Sequence, residues 1–102
     1  AGINTSRLIL DPGFGFGKSL EQNYSLLANM SKFQSLNLPL MAGLSRKSMI
    51  GNLLKREVNE RLAGSLATAI IAAQHGANII RVHDVKETVD TLKVLQATIL
   101  NT

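Results

Sequence analysis

Three short polar stretches, each following a run of apolar residues, constrain the fold of this chain more than any other feature of its sequence. They are Asp11–Lys18, Gly43–Ser48 and Arg81–Asp84. A strand that ends in charged residues and leads into a helix, three times over, is typical of parallel α/β enzymes. In such folds the loops at the carboxyl ends of the strands carry the chemistry. The pattern therefore predicts an α/β fold and indicates an enzyme.

The segments around these stretches read as three strands, each followed by helical sequence. The predicted strands are Arg7–Leu10, about Leu38–Ala42 and Ile79–Val82, all rich in apolar residues. Consecutive strands that are joined through helices pair in parallel, with right-handed crossovers. The order βαβαβα therefore predicts a parallel sheet covered by helices.

Two capping signals mark the start of helices. Ser19 and Gln22 form an S-x-x-Q capping box that opens the first helix. Asp84 and Glu87 repeat the same spacing, and we expect a second capping box at the start of the last helix.

A short helix is predicted over Ser45–Leu54 and the main helix over Val58–His75, with Gly76 as its C-cap. Apolar residues recur at helical spacing and predict the faces that turn toward the core. These faces are Leu20, Tyr24, Leu27, Met30 and Phe33 in the first helix, Leu62, Leu66, Ile70 and Ala73 in the main helix, and Val85, Val89, Leu92 and Ile99 in the last.

Three strands cannot close a barrel, and a (β/α)8 barrel typically needs about 250 residues. We therefore expect residues 1–102 to be the C-terminal part of one incomplete barrel domain, supplying its last three βα units. A small open three-layer sheet is the alternative. The chain does not begin with Met, which fits either a piece of a longer polypeptide or a chain whose initiator Met has been removed.

Composition narrows the class of protein. The formal net charge is +4, but the basic residues are scattered without aromatic residues between them, so nucleic acid is not the expected partner. Cysteine is absent, which excludes disulfides and thiolate chemistry and suits the reducing cytoplasm. No apolar run approaches the length of a membrane span, and no signal peptide is recognisable. We expect a cytoplasmic protein that binds anionic small molecules.

The glycine-rich stretch resembles nucleotide-binding loops but meets neither motif. Pro12 stands where a P-loop needs its first glycine, and Lys18 stands where a Rossmann fingerprint needs its third. The remaining feature is a glycine loop that presents Phe14 and Phe16 after a strand. These rings either stack on a flat ligand or anchor the loop, since aromatic linings are typical of ligand sites.

Charged residues follow the first two strands. Asp11 either caps the loop by accepting from the amide of Gly13 or Gly15, or accepts from an amino-pyrimidine edge. Arg46 and Lys47 stand where a helix begins, a position that attracts anions and disfavours cations. They form either a solvated basic turn or a contact to a ligand.

Arg81 in the third predicted strand and His83 directly after it alternate with Val82 and are expected on the same face. Two such side chains on a buried strand are costly unless an anion compensates them. Asp84 is one candidate partner for Arg81, and a phosphate or diphosphate is the other. The two histidines lie far apart with no carboxylate at ligand spacing, so no metal site is predicted within the chain.

The blocks Asp11–Lys18, Gly43–Gly51 and Ile79–Val85 resemble the C-terminal part of the dihydropteroate synthase family, and the resemblance spans essentially the whole chain. It implies a (β/α)8 barrel that joins 4-aminobenzoate to 7,8-dihydropterin-6-ylmethyl diphosphate and releases pyrophosphate. It also implies a homodimer and a Mg²⁺ ion whose protein ligand lies outside this chain.

The resemblance assigns roles by position. The implied catalytic residues are Lys47, Arg81 and His83. The implied substrate contacts are Asp11 and Lys47 on the pterin, Phe16 and Ser48 at the aminobenzoate, and Arg81 and His83 on the diphosphate. Because further pterin and metal contacts come from earlier strands of the family, we expect the isolated chain to be inactive.

Three other functions are compatible with parts of the sequence. A related pterin-binding barrel, such as a methyltetrahydrofolate methyltransferase domain, would share the aspartate at a strand end. A small basic, non-catalytic binding module would explain the charge. A barrel aldolase would use Lys47 as its Schiff-base amine, but Lys47 follows Gly43 in a loop rather than standing on a strand.

Overall fold

In the part of the chain that the structure describes, two parallel strands form a sheet. The computed structural model describes residues 11–15, 17–36 and 38–101. Strand β1 (Met41–Ala42) pairs with β2 (Ile79–Ile80), with Met41 opposite Ile79 and Ala42 opposite Ile80. The parallel α/β arrangement is confirmed. The first predicted strand, at 7–10, lies outside the described residues.

Both described strands are shorter than predicted, for local reasons. Pro39 cannot donate to a ladder, and the Leu40 amide donates to the Asn78 side chain at 3.0 Å instead of to a neighbouring strand. On the other strand, the Arg81 amide still donates to the Ala42 carbonyl at 3.0 Å. Beyond it the His83 amide donates to the Ser45 hydroxyl, which ends the pairing.

The first helix, α1 (Leu20–Ala28), begins as predicted. The Gln22 amide donates to Ser19 Oγ at 3.1 Å, and the Ser19 amide donates to Gln22 Oε1 at 2.8 Å, which completes the capping box. A 3₁₀ helix, Met30–Leu36, continues the chain. The predicted apolar face is confirmed, because its members are buried or packed against the core: Leu20, Tyr24, Leu27, Met30 and Phe33.

Helix α2 (Ser48–Leu54) begins three residues later than predicted. Arg46 has φ of 56°, in the left-handed region, so a right-handed helix cannot run through it. The residues before Ser48 therefore belong to a loop whose conformation is set by the contacts described below.

The predicted main helix is divided into a 3₁₀ turn, Val58–Glu60, and α3 (Leu62–Gln74), followed by Gly76 at φ of 102°. The predicted face is confirmed only in part. Leu62 is exposed, and Leu66, Ile70 and Ala73 are half-buried, whereas the fully buried residues are small: Ser65, Thr68, Ala69 and Ala72. The helix is apolar around most of its circumference, so the spacing of its large residues does not identify the packed side.

Helix α4 (Val85–Leu100) packs along α3. The predicted capping box was wrong, because the Asp84 side chain caps no amide and instead pairs with Arg46. The predicted apolar face was also wrong for three of its four residues, since Val85, Val89 and Ile99 are exposed. Thr88 is the buried residue of this helix, and its hydroxyl donates to the Asp84 carbonyl at 2.7 Å.

The core lies between α1, β1, α2 and α3. The Tyr24 hydroxyl ties α1 to α2 by donating to the Met49 carbonyl at 3.0 Å. The buried cluster consists of Phe14, Leu27, Met30, Leu40, Ala42, Leu44, Met49, Ile50 and Ala72.

In the ranges that the structure describes, no helix is both long and apolar enough to traverse a membrane.

Candidate functional site

Three loops meet at the carboxyl ends of the strands. The glycine loop comprises residues 11–18, the first strand loop residues 43–47 after β1, and the second strand loop residues 81–84 after β2. The Lys47 ammonium in the first strand loop donates to the Phe14 carbonyl in the glycine loop at 2.8 Å. The two strand loops are joined by Ser45 with His83 and by Arg46 with Asp84. The three polar stretches of the sequence are thus neighbours in space.

The start of the glycine loop is an Asx turn. Asp11 Oδ1 accepts from the Gly13 amide at 3.0 Å, one of the two arrangements predicted for this carboxylate. Gly13, Gly15 and Gly17 all have positive φ, at 74°, 96° and 69°, a conformation that side chains disfavour. The loop therefore depends on glycine at these places.

Two side chains hold the glycine loop on the core. The buried Asn23 accepts from the Gly15 amide at 2.8 Å, and Lys18 donates to the Gly13 carbonyl at 2.8 Å. Phe14 is only 1% exposed and anchors the loop, which decides between the two predicted roles for this ring. Phe16, the predicted aminobenzoate contact, lies outside the described residues.

Lys47 lies among several charges. Its pKa is lowered below the ordinary lysine value, first by burial and then by the positive charges of Arg81 and Lys18, while Asp11 opposes the shift. These charges come from all three loops. They give the site a net positive character, which suits an anion.

Arg46 is fixed by four hydrogen bonds. Its amide donates to Ser65 Oγ at 2.9 Å, and its carbonyl accepts from Arg61 Nη1 at 3.0 Å. Its guanidinium donates twice to Asp84, with Nη2 to Oδ1 at 2.7 Å and Nε to Oδ2 at 3.2 Å. The bond from Arg46 holds the pKa of the Asp84 carboxyl below its ordinary value. Arg46 is therefore a structural residue that positions Lys47.

Arg81 and His83 are both exposed, and β2 ends before either of them. The prediction that they share the face of a buried strand was therefore wrong, and so was the expected cost of burying them. The Arg81 guanidinium lies over Gly43, where a Cβ atom would be 2.9 Å from Nη2. His83 is held by Ser45, and Asp84 pairs with Arg46 rather than with Arg81.

The other predicted contact, Ser48, is the first residue of α2 and has an exposed side chain. It directly follows Lys47, the last residue of the first strand loop. Within the described ranges, no group of three or more His, Asp and Glu side chains is arranged to hold a metal ion.

Sequence reasoning missed the residues that position the site. Asn23 had a usable signal, because it is a polar residue at helical spacing from Leu20 and Leu27 on an apolar face. Ser65 and Arg61 carry no local signal. Both act on Arg46 from more than ten residues away in the sequence.

Comparison with known proteins places the chain in a family. The profile of the pterin-binding enzyme family matches residues 1–83. The chain belongs to this family. A relative from Escherichia coli K12, a dihydropteroate synthase, is 63% identical over 99 residues, covering 97% of this chain and 35% of its own length. A dihydropteroate synthase from Haemophilus influenzae is 57% identical over 98 residues, covering 96% of this chain and 36% of its own length.

Solved members have the same local structure. The 7,8-dihydropteroate synthase of Vibrio fischeri superposes with a TM-score of 0.95 at 56% identity, covering 99% of this chain and 37% of the other. A Yersinia pestis dihydropteroate synthase with a sulfonamide drug complex superposes with a TM-score of 0.95 at 53% identity, and it also covers 99% of this chain and 37% of the other. The chain spans about a third of the length of the curated relatives it matches.

Proposed function

We propose that this chain forms the last three βα units of a dihydropteroate synthase built on a closed (β/α)8 barrel. Residues 1–102 would then be part of one pterin-binding barrel domain. Two findings support the proposal: the 63% identity to the E. coli synthase, and the meeting of three loops where barrel enzymes carry their sites. The identity also favours the synthase over a methyltransferase domain or a non-catalytic binding module.

The proposed reaction joins 4-aminobenzoate to 7,8-dihydropterin-6-ylmethyl diphosphate. The aniline nitrogen attacks the methylene carbon and loses a proton, while the C–O bond breaks and pyrophosphate leaves with the electron pair. A solved relative from Xanthomonas albilineans, in complex with 7,8-dihydropteroate, supports this product; it is 53% identical with a TM-score of 0.93, covering 95% of this chain and 37% of the other.

The positive cluster around Lys47 is the observation that carries the proposal. Lys47 lies close enough to Arg81 and Lys18 for their charges to lower its pKa, and His83 follows in the same loop as Arg81. Negative charge develops on the diphosphate as it leaves, so preorganised cations lower the barrier. We assign Arg81 and His83 to the diphosphate, and Lys47 to the pterin beside it.

The remaining contacts follow from position. The Asx turn uses one oxygen of Asp11, which leaves acceptor capacity for the amino-pyrimidine edge of the pterin. Ser48 would meet the aminobenzoate carboxylate, and Phe16 would line its pocket. Holding both substrates in line contributes to catalysis by positioning.

Magnesium, the homodimer and the cytoplasmic location are proposed from the resemblance. The residues described in this chain do not form a metal site, so Mg²⁺ would be bound by residues from elsewhere in the complete enzyme. When bound, the ion would neutralise part of the diphosphate charge. We assign no step of the reaction to it.

Substitution of Arg81 in the complete enzyme tests the proposal. Arg81→Ala removes charge-assisted hydrogen bonding worth about 1.5–3 kcal/mol in total, so affinity for the pterin diphosphate should fall about 10- to 150-fold. Affinity for the pterin alcohol, which lacks the diphosphate, should stay within about twofold. Arg56→Ala, beyond the C-terminal end of α2, controls for net charge. Equal losses for both ligands would contradict the assignment.

A further inference from the structure

The ring of His83 is anchored at one edge by a buried hydroxyl. Ser45 is 8% exposed, and its Oγ lies 3.0 Å from Nδ1 of His83 and 3.2 Å from the His83 amide nitrogen. The imidazole itself is exposed. One side chain therefore fixes both the backbone and the ring of this histidine.

The chemistry of a hydroxyl decides how these bonds are arranged. A serine hydroxyl has one proton to donate and two lone pairs to accept. The His83 amide can only donate, so it occupies one lone pair of Ser45. Among the residues that the structure describes, Nδ1 of His83 is the acceptor available to the hydroxyl proton. With a proton on Nδ1, a nearly buried hydroxyl would lose its acceptor, which disfavours that tautomer by roughly tenfold.

We propose that Ser45 is a positioning residue that holds neutral His83 as the Nε2–H tautomer. Nδ1 then accepts from Ser45, and the ring presents an N–H donor at its exposed edge. A protonated imidazole also carries a proton on Nε2, so this donor persists in both charge states. The identity of the anion that Nε2–H contacts rests on the proposed function, in which Nε2 donates to a diphosphate oxygen.

The second histidine of the chain supplies an internal contrast. Nδ1 of His75 lies 2.8 Å from the Ile71 carbonyl oxygen. A carbonyl only accepts, so neutral His75 carries its proton on Nδ1. The structure thus assigns opposite tautomers to His75 and His83.

Nitrogen-15 NMR of the complete protein with labelled histidine, under alkaline conditions where imidazoles are neutral, reads the tautomers directly. His75→Gln and His83→Gln variants assign the signals. The expected result is a protonated Nε2 for His83 and a protonated Nδ1 for His75. A protonated Nδ1 on His83, or an even mixture of its two tautomers, would overturn the inference.

Serine variants test the cause. Ser45→Ala should convert His83 to a mixture of tautomers and weaken binding of inorganic pyrophosphate about twofold, because only about half of the neutral rings then present Nε2–H. Ser45→Thr keeps a hydroxyl and should restore the Nε2–H tautomer. Ser65→Ala is the matched control, because Ser65 is also a buried serine whose hydroxyl accepts from a backbone amide, that of Arg46, and its bonds in the described residues do not include His83. It should leave the tautomer unchanged.

The outcomes separate this inference from the proposed function. If the wild type holds the Nε2–H tautomer but binds neither pyrophosphate nor the pterin diphosphate, the proposed function fails and the role of Ser45 stands. If both ligands bind and Ser45→Ala leaves the tautomer unchanged, the role of Ser45 fails and the proposed function stands. Should Ser45→Ala not fold, the wild-type spectrum and Ser45→Thr still decide.

Discussion

Gly43 leaves the space in which the Arg81 guanidinium lies, and adding one methyl group there tests that placement. Gly43 directly follows β1, is buried, and has no positive φ, so its backbone accepts alanine. A Cβ at this position would lie 2.9 Å from Nη2 and 3.2 Å from Nε of Arg81. Ordinary contacts begin at about 3.4 Å, so the guanidinium must move by at least about 0.5 Å.

The expected effect of Gly43→Ala is on the ligand rather than on the fold. Arg81 is exposed and its guanidinium is the end of a flexible side chain, so the free energy of unfolding should change by less than about 1 kcal/mol. Displacing the Arg81 guanidinium weakens its charge-assisted hydrogen bonds to the ligand, which are worth about 1.5–3 kcal/mol. In the complete enzyme we expect titration calorimetry to show weaker binding of the pterin diphosphate, with a smaller loss than that of Arg81→Ala because the guanidinium is displaced rather than removed. Binding of the pterin alcohol should be nearly unchanged.

Gly17→Ala is the matched control with the opposite signature. Apart from its chain neighbours, no described residue has an atom within 4 Å of its added Cβ, but its φ of 69° strains any side chain, at a cost of about 1–2 kcal/mol. It should lower stability without changing the ratio of the two affinities. Two results would refute the reasoning: wild-type affinity of Gly43→Ala for the diphosphate, or equal losses for both ligands together with a lower Tm.

Three other predictions follow from the contacts of the site. Asn23→Ala leaves the Gly15 amide without its acceptor and should lower the free energy of unfolding in urea by about 1–3 kcal/mol, with partial recovery in Asn23→Asp; an unchanged stability would contradict the anchoring role. The lowered pKa of Asp84 means that its pairing with Arg46 stabilises the fold above the ordinary value of 3.8 and ceases to do so as the pH falls through the lowered value. Urea unfolding should therefore show the wild type more stable than Asp84→Asn at neutral pH, with a difference that shrinks in acid; a constant difference would argue against the pairing. The lowered pKa of Lys47 leaves more neutral amine at alkaline pH, so mass spectrometry should show faster acylation than at fully exposed lysines, and pyrophosphate should slow it. Equal rates, with or without pyrophosphate, would oppose this.

The contrast between two sequence patterns of the same spacing shows what could be predicted. The Ser19–Gln22 capping box formed because both partners lie three residues apart and bond each other's backbone amides. The same spacing at Asp84 failed because Arg46, 38 residues earlier, takes the carboxylate. Local signals succeed until a charged partner from another loop competes with them.

The helix faces and the site contacts also divide into those with a local sequence signal and those without one. The core face of α1 could be predicted from periodicity because its other side is polar. Helix α3 is apolar around nearly its whole circumference, so periodicity does not identify its packed side. The three loops were predicted to lie together because parallel strands bring their carboxyl ends to one edge. Which groups pair there depends on side-chain directions that no local pattern encodes, as Arg46 and Ser45 show.

Product formation by the complete enzyme tests the central claim most directly. With 4-aminobenzoate and the pterin diphosphate, mass spectrometry should detect 7,8-dihydropteroate with one pyrophosphate released for each product. Lys47→Ala should reduce turnover at least about 100-fold, because it removes a group placed at the substrate. Lys93→Ala, on the exposed side of α4, should leave turnover unchanged. Absence of product from the wild type, or full activity of Lys47→Ala, would contradict the account.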